Sequence, residues 1–349
     1  MTTNLKDLEI NRLEEFFENL GEKKYRAKQV FKWIYTGADS FEEMSDLPKQ
    51  LRETLKNLAE LMSLKISERF FSQSDGTIKY LFELIDGNLI ESVFMKYKFG
   101  NSVCVSSQAG CKMGCVFCAS GKDGFIRNLS PGEMSDQILK ARQDSGQPIN
   151  HVVVMGTGEP FDNYENLSKF IRIINDKNGL NIGMRNITVS TCGIIPKIKN
   201  FAADFPQANL AISLHAPNAK LREKIMPIET KYGFEELISA CEEYTKTTGR
   251  KITFEYALID GINDSASDAE LLSRRLRGML CHINLIPLNF VAELSNGDSA
   301  QAYAPSTKEK TRLFLKTLQE KGASATIRRE LGADINAACG QLRLGRSPF

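Results

Sequence analysis

Six short apolar runs, recurring at intervals of a few tens of residues, most constrain how this 349-residue chain can fold. They occupy residues 103–105, 152–155, 187–189, 210–214, 252–256 and 282–286, with helix-like stretches between them. Apolar runs without strict alternation suit strands buried on both faces, and the stretches between suit crossover helices. The expected architecture is therefore α/β, a parallel sheet with covering helices that curls into a partial (β/α)6 barrel. Polar or Gly-rich residues follow each run, at the C-terminal strand ends where barrel active sites collect.

The first third of the chain follows other periods. Leu13, Phe16, Phe17 and Leu20 recur at helical spacing, as do Ala27, Val30, Phe31 and Ile34, and then Leu51, Leu55 and Leu58 after Leu47-Pro48. Residues 66–97 look like short strands broken by the turn signals Ser74-Asp75-Gly76 and Asp86-Gly87-Asn88. This divides the chain into a small N-terminal helical domain (1–65), a β extension or linker (66–100) and a barrel with a C-terminal segment (101–349). No run approaches the length of a membrane span and the first residues lack the apolar core of a signal peptide, so a cytoplasmic protein with no membrane contact is expected. In that compartment eight cysteines read as metal or catalytic thiols, not a disulfide framework. Cys192, Cys241 and Cys281 have no motif around them and read as small buried hydrophobes.

Three of the cysteines form a C-x3-C-x2-C triplet, Cys111, Cys115 and Cys118, with no fourth cysteine or histidine close behind. A closed structural zinc site needs four protein ligands, whereas three leave one metal position open for chemistry. The competing reading is a zinc knuckle completed by a remote Cys104 or His151. The triplet, with Phe117 before its last cysteine, resembles the radical S-adenosylmethionine (SAM) signature. That resemblance implies a [4Fe-4S] cluster on Cys111, Cys115 and Cys118, whose open iron binds SAM and cleaves it reductively.

Met155-Gly156-Thr157-Gly158-Glu159-Pro160 follows the second run. Its glycines let the backbone approach a ligand, and a carboxylate beside them can accept hydrogen bonds from an ammonium group. It resembles the segment that holds the amino group of SAM, with Gly158 and Glu159 as the contacts. Ser190, Ser213, Leu214, His215 and Asn289 lie at or just beyond strand ends, suited to ribose hydroxyls, carboxylate oxygens or adenine edges. Each could instead satisfy a loop backbone, and His215 could be a core histidine.

The segment from Thr326-Ile327-Arg328-Arg329-Glu330-Leu331-Gly332 to Ala337-Ala338-Cys339-Gly340, with Ser106-Ser107-Gln108-Ala109-Gly110-Cys111 and Gly158-Glu159-Pro160-Phe161-Asp162-Asn163-Tyr164, is similar to the dual-specificity ribosomal and transfer RNA adenine-C2 methyltransferases. The resemblance covers about residues 85–345. It implies methylation of an adenine at the peptidyl transferase centre of 23S rRNA, and of tRNA, with two SAM molecules per turnover. The first methylates the thiolate at the position of Cys339, and the second supplies the radical that activates the resulting S-methyl group. Cys104 matches the thiol that resolves the protein–RNA adduct through a transient disulfide with Cys339, and Glu91 matches the proton acceptor. On its own residues Glu91 reads as an ordinary solvated strand glutamate. An electron donor such as flavodoxin or ferredoxin, a thiol reductant and a monomeric state are further expectations.

A formal charge of +2 predicts no nucleic-acid partner by itself, so RNA contact has to come from local patches. Residues 23–35 interleave cations with aromatics, and Lys24, Arg26, Lys28 and Trp33 are candidates for phosphate contact and stacking. The plainer reading is an amphipathic helix with its lysines in water. Two rival functions remain at this stage: the sister activity at adenine C8, associated with antibiotic resistance, and a non-catalytic zinc-stabilised RNA-binding protein.

Overall fold

The computed structural model describes residues 2–121, 124–288, 303–335 and 337. Strand β1 (Thr3–Asn4) pairs in parallel with β2 (Ala59–Glu60), and between them run α1 (Ile10–Asn19), α2 (Tyr25–Thr36) and α3 (Lys49–Leu58). The helical faces read from the sequence are buried at Leu13, Phe17, Ala27, Val30, Phe31, Ile34, Leu51 and Leu55. Leu58 departs from the expectation and is 44% exposed, because it is the last residue of α3 and the chain swings there into β2.

Next comes an antiparallel meander, β3 (Lys65–Phe71), β4 (Ile78–Glu83) and β5 (Leu89–Tyr97). Its two turns fall on the expected signals, with Gly76 and Gly87 at φ 73° and 78°. β5 then pairs antiparallel with β6 (Gly100–Val105), which opens the parallel part of the sheet. The hairpin β7 (Gln108–Gly110) and β8 (Phe125–Asn128) flanks the cysteine loop.

Helix α4 (Pro131–Ser145) leads to β9 (His151–Val154), α5 (Tyr164–Asn175) to β10 (Ile187–Thr191), and α6 (Ile195–Asp204) to β11 (Asn209–Ser213). α7 (Ala219–Ile225) and α8 (Phe234–Thr248) precede β12 (Ile252–Leu258), α9 (Ala266–Arg275) precedes β13 (Cys281–Pro287), and α10 (Lys308–Glu320) precedes β14 (Ala325–Ile327). The strands form one ten-stranded sheet in the order β14-β13-β12-β11-β10-β9-β6-β5-β4-β3, parallel from β14 to β6 and antiparallel beyond. All six apolar runs are strands of this sheet. β14, whose three residues are too few for a periodicity, adds a seventh parallel strand.

Along these strands Val189, Ile212 and Phe254 are fully buried in the core, while their neighbours Ser190, Ser213 and Glu255 line a cleft. That alternation is the period-two geometry of a strand. α4 joins barrel to N-terminal helices. Ser130 and Glu133 form a capping box at its start, and Lys6 reaches Asp136 at 2.6 Å in a pair with both side chains almost fully buried. The other Asp136 oxygen accepts from the Leu64 N–H, so the pair is bonded on both sides, the condition under which a buried ion pair is tolerated.

Candidate active site

A cleft of about 930 Å³, open to solvent at its mouth, lies at the C-terminal ends of β9 to β13. Cys111, Cys115, Cys118, Gly158, Glu159, Ser190, Ser213 and His215 all line it, so the structure brings together most of the residues singled out from the sequence. Leu214 does not line it; its side chain is fully buried in the core and its N–H donates to the Glu255 carbonyl. Asn289 and Cys339 lie outside the described residues.

The cysteine loop is held at both ends. The Cys111 N–H donates to the Gly124 carbonyl at 2.9 Å and the Val116 N–H to the Ile225 carbonyl at 3.1 Å. Gly110 sits at φ 74°, and a Cβ there would come within 1.9 Å of the Gly124 oxygen. Burial pushes the Cys111 thiol up to about 12, and the neighbouring Cys118, Glu159 and Asp162 add to it. Burial and the charges of Cys118 and Cys111 push Cys115 the same way. Cys111 and Cys115, their ionisation hindered in this way, keep their protons until positive charge arrives, and a metal cluster supplies it. Among the described residues no three His, Cys, Asp or Glu side chains converge on a point that would grip a single ion. Three thiols lining one cleft, with one metal position left open, are a donor set that fits a [4Fe-4S] cluster. Neither Cys104 nor His151, the proposed remote ligands of a zinc knuckle, lines the cleft.

The glycines of the 155–160 segment serve close packing. A Cβ at Gly156 would meet Ser106 Oγ at 2.6 Å, and one at Gly158, where φ is 105°, would meet Gln108 Cβ at 2.5 Å. Glu159 is buried, and burial raises its proton affinity against the opposing bonds from Cys192 and Phe161. Its Oε2 accepts from the Cys192 N–H at 2.8 Å and its Oε1 from the Phe161 N–H at 3.0 Å. Glu159 thus ties the end of β9 to the end of β10. Ser190 and Ser213 lie across adjacent strand ends with their hydroxyls 3.4 Å apart. The His215 ring stands edge-on to Phe117 at 4.7 Å, linking the β11 end to the cysteine loop.

Glu91 and Cys104 belong to a separate wall, outside the cleft lining. Cys104 is paired with Val93 across β5 and β6 and packs with Val93, Met95, Leu331 and Ala337. Glu91 is 3% exposed, against the solvated reading, because β5 is covered on both faces. Its Oε1 lies 3.3 Å from Lys79 Nζ, and its buried Oε2 has no hydrogen-bond partner among the described residues. Burial raises its pKa to about 7, with Lys79 opposing. The C-terminal segment reaches this wall from the β3–β4 turn: Asp334 accepts from the Ser72 hydroxyl at 2.7 Å and the Gln73 N–H at 3.0 Å, and the Gly332 N–H donates to Asp75 at 2.9 Å.

Three polar residues around the cleft carry no motif. Arg222 is fully buried, bonded to Glu229 at 2.7 Å and to the Cys192 carbonyl at 2.5 Å. Glu255 lines the cleft and accepts from Asn284 at 2.8 Å, with Arg328 4.0 Å away. A carboxylate inside the apolar run 252–256 was the available signal for Glu255. Cys192 is buried as expected, but it also lines the cleft.

The RNA-binding candidates on α2 are not part of this cleft. Lys24 lies 3.5 Å from Glu18, and Lys28 3.8 Å from Glu14, with both lysines more than half exposed. Arg26 is bonded to Gln29 at 2.8 Å, and Trp33 Nε1 donates to Asp46 at 2.6 Å. Two of the four therefore stand on the surface, and two brace the α2–α3 connection.

Two family models match the chain: the ribosomal RNA large subunit methyltransferase N-terminal domain over residues 3–61, and the radical SAM superfamily over residues 105–272. Curated proteins described as probable dual-specificity RNA methyltransferase RlmN are similar throughout. Those of Thermoanaerobacter sp. and Caldanaerobacter subterraneus are 52% and 53% identical over 341 residues, 97% of each chain. The crystal structure of a radical SAM methyltransferase from Sphaerobacter thermophilus superposes with a TM-score of 0.90 at 43% identity, covering 98% of this chain and 99% of that one. Identity of this order along the whole length, on a cleft built from three cysteines at the mouth of such a barrel, means that the chain belongs to the RlmN family of radical SAM methyltransferases.

Proposed function

We propose that this enzyme methylates carbon 2 of adenine in 23S rRNA and in tRNA, carrying the methyl group on Cys339. Carbon 2 of adenine is electron-poor and offers no lone pair, so it cannot take a methyl group from SAM by simple displacement. Cys111, Cys115 and Cys118 would hold the [4Fe-4S] cluster, which when bound would supply the electron for reductive cleavage of SAM. Gly158, Glu159, Ser190, Ser213 and His215 surround the cleft in which SAM would lie, and the Leu214 and Asn289 contacts remain part of the same reading.

The observation that carries the proposal is the company of Cys104. It shares a cluster with Ala337, two residues before Cys339 in the chain, and a sheet face with the buried Glu91. On this reading Cys339 is the thiol for methyl transfer, Cys104 the thiol that resolves the adduct and Glu91 the carboxylate for the leaving proton. The thiol pair would form a transient disulfide, which in a reducing cytoplasm is catalytic and must be reduced again by a thiol donor. We take flavodoxin or ferredoxin as the electron donor and a monomer as the working form. Among the described residues no helix is long and apolar enough to cross a membrane.

The test is mass mapping of methyladenine in 23S rRNA and tRNA from a strain lacking the gene, with and without the enzyme restored. Methyl groups at C2 in both RNAs that return with the gene bear the proposal out. A methyl at C8, or in neither RNA, overturns it.

A further inference from the structure

Two charges face each other inside the meander. Lys79 on β4 and Glu91 on β5 form an ion pair at 3.3 Å, with side-chain exposures of 7% and 3%. Taking two ions out of water costs several kcal/mol for each, and an apolar pair of similar volume generally packs at least as stably. Stability alone gives little reason for the pair.

The sheet register gives its direction. Lys79 stands opposite Val93, and Val93 stands opposite Cys104, so these three side chains point to one face. Glu91, two residues before Val93, points the same way. Only one oxygen of Glu91 meets the lysine; the other, Oε2, is buried without a hydrogen-bond partner among the described residues. A buried carboxylate oxygen left bare on the sheet face that carries a thiol suits an incoming proton donor better than it suits a folded core.

We propose that Lys79 is a positioning residue for proton removal from the substrate adenine: it tethers Oε1 of Glu91 and keeps the group ionised, leaving Oε2 to receive the proton from C2. The proposal rests on the reading of Glu91 as the proton acceptor. In this step the C2–H bond breaks, its electron pair stays with the adduct, and an O–H bond forms at Oε2. Lys79 keeps its own proton, so the pair changes from neutral to singly positive. Phe70, whose ring centre lies 4.9 Å from Lys79 Nζ, helps hold the ammonium in place. Of the other elements against this face, β6 contributes the Cys104 thiol, β9 the uncharged Val153, and the C-terminal segment Leu331 and Ala337, with its Asp334 bonded to Ser72 and Gln73 and its Arg329 and Glu330 exposed.

The direction of the effect follows from the charges. Burial raises the pKa of Glu91 and Lys79 lowers it, with the balance near 7. Removing the lysine charge removes the influence that opposes burial, so the carboxyl would hold its proton to higher pH. Lys79→Met leaves Glu91 free to take that proton, so no bare charge is stranded, and Lys79→Arg keeps the cation.

The experiment uses the full chain and two readouts. An infrared difference titration follows the Glu91 carboxyl, identified by its absence in Glu91→Gln, without cluster or substrate. Single-turnover methyl transfer to RNA is followed over the same pH range in the loaded enzyme. In Lys79→Met the infrared midpoint should move up by about one unit or more, with transfer falling about tenfold at neutral pH and recovering at higher pH, while Lys79→Arg returns both curves toward wild type. An unchanged infrared midpoint in Lys79→Met overturns the tether. A midpoint that moves while the transfer profile stays fixed keeps the tether, and overturns both the assignment of Glu91 as proton acceptor and the catalytic role proposed for Lys79.

Discussion

Nδ1 of His215 accepts a hydrogen bond from the backbone N–H of Ala257 at 2.9 Å. An accepting Nδ1 carries no proton, so the ring is neutral with its proton on Nε2. His215 holds a left-handed φ of 56°, rare outside glycine, at the turn where β11 ends. Burial, aided by the nearby Arg222 charge, lowers its pKa to about 3. The cleft therefore contains a fixed neutral imidazole.

A pH dependence of stability follows. Unfolded, the imidazole takes a proton near 6.5; folded, only near 3. Between these values the unfolded chain binds more protons, so this contribution is full above pH 6.5 and lost as the pH falls toward 3. His215→Gln should show a shallower loss than wild type over that window, the difference reaching at most one proton or about 1.4 kcal/mol per pH unit. Urea unfolding at a series of pH values measures it, and parallel curves would show that the ring is not buried neutral.

Cys111, Cys115 and Cys118 should each be indispensable for cluster retention and not for folding. Their loop packs in a separate small apolar cluster with Phe117, Met226 and Leu288, beside the main core. Replacing any one by alanine should remove most of the iron and sulfide and reduce SAM cleavage by more than a hundredfold. The urea midpoint should move little. Near-normal iron and SAM cleavage in all three variants would refute the ligand assignment.

The six strand runs are legible because each is apolar across several residues, whereas β14 offers only Ala325-Thr326-Ile327 and is recognisable only once β13 is there to pair with it. The cysteine triplet is legible because its spacing is local. Glu91 is not, since nothing within its strand says that both faces of β5 are covered; its burial comes from β4, β6 and the tail segment. Arg222 reads as one cation on a short helix, and only the fold brings it under the carbonyls of Cys192 and Ser213. Long-range pairing, not local propensity, assigns these residues.

The candidates on α2 separate by experiment. Pairs as exposed as Lys24–Glu18 and Lys28–Glu14 are worth no more than about 1 kcal/mol, so either lysine can exchange carboxylate for phosphate at little cost. Lys24→Ala with Lys28→Ala should weaken RNA binding and reduce the slope of log affinity against log salt by roughly 1.5. Arg26→Ala should leave the slope alone and lower stability by about 1 kcal/mol, since it breaks the bond to Gln29. An unchanged slope in the double lysine variant would confine RNA contact to other surfaces.

The two thiols outside the cluster should give opposite phenotypes, where a purely structural role would give the same one. Cys339→Ala removes the methyl carrier, so RNA methylation should cease before any covalent species forms. Cys104→Ala keeps the carrier and the cluster chemistry but removes the thiol that releases the product. The substitution deletes one small side chain from the cluster of Val93, Met95, Leu331 and Ala337, a loss of at most a few kcal/mol that the sheet pairing around it can bear. The Cys104 variant should therefore stay folded and accumulate protein joined to RNA through Cys339. On a denaturing gel this is a slow band that collapses on nuclease treatment. The double variant should show neither methylation nor the band, and a crosslink that survives in it, or normal turnover by Cys104→Ala, would reverse the assignment of the two thiols.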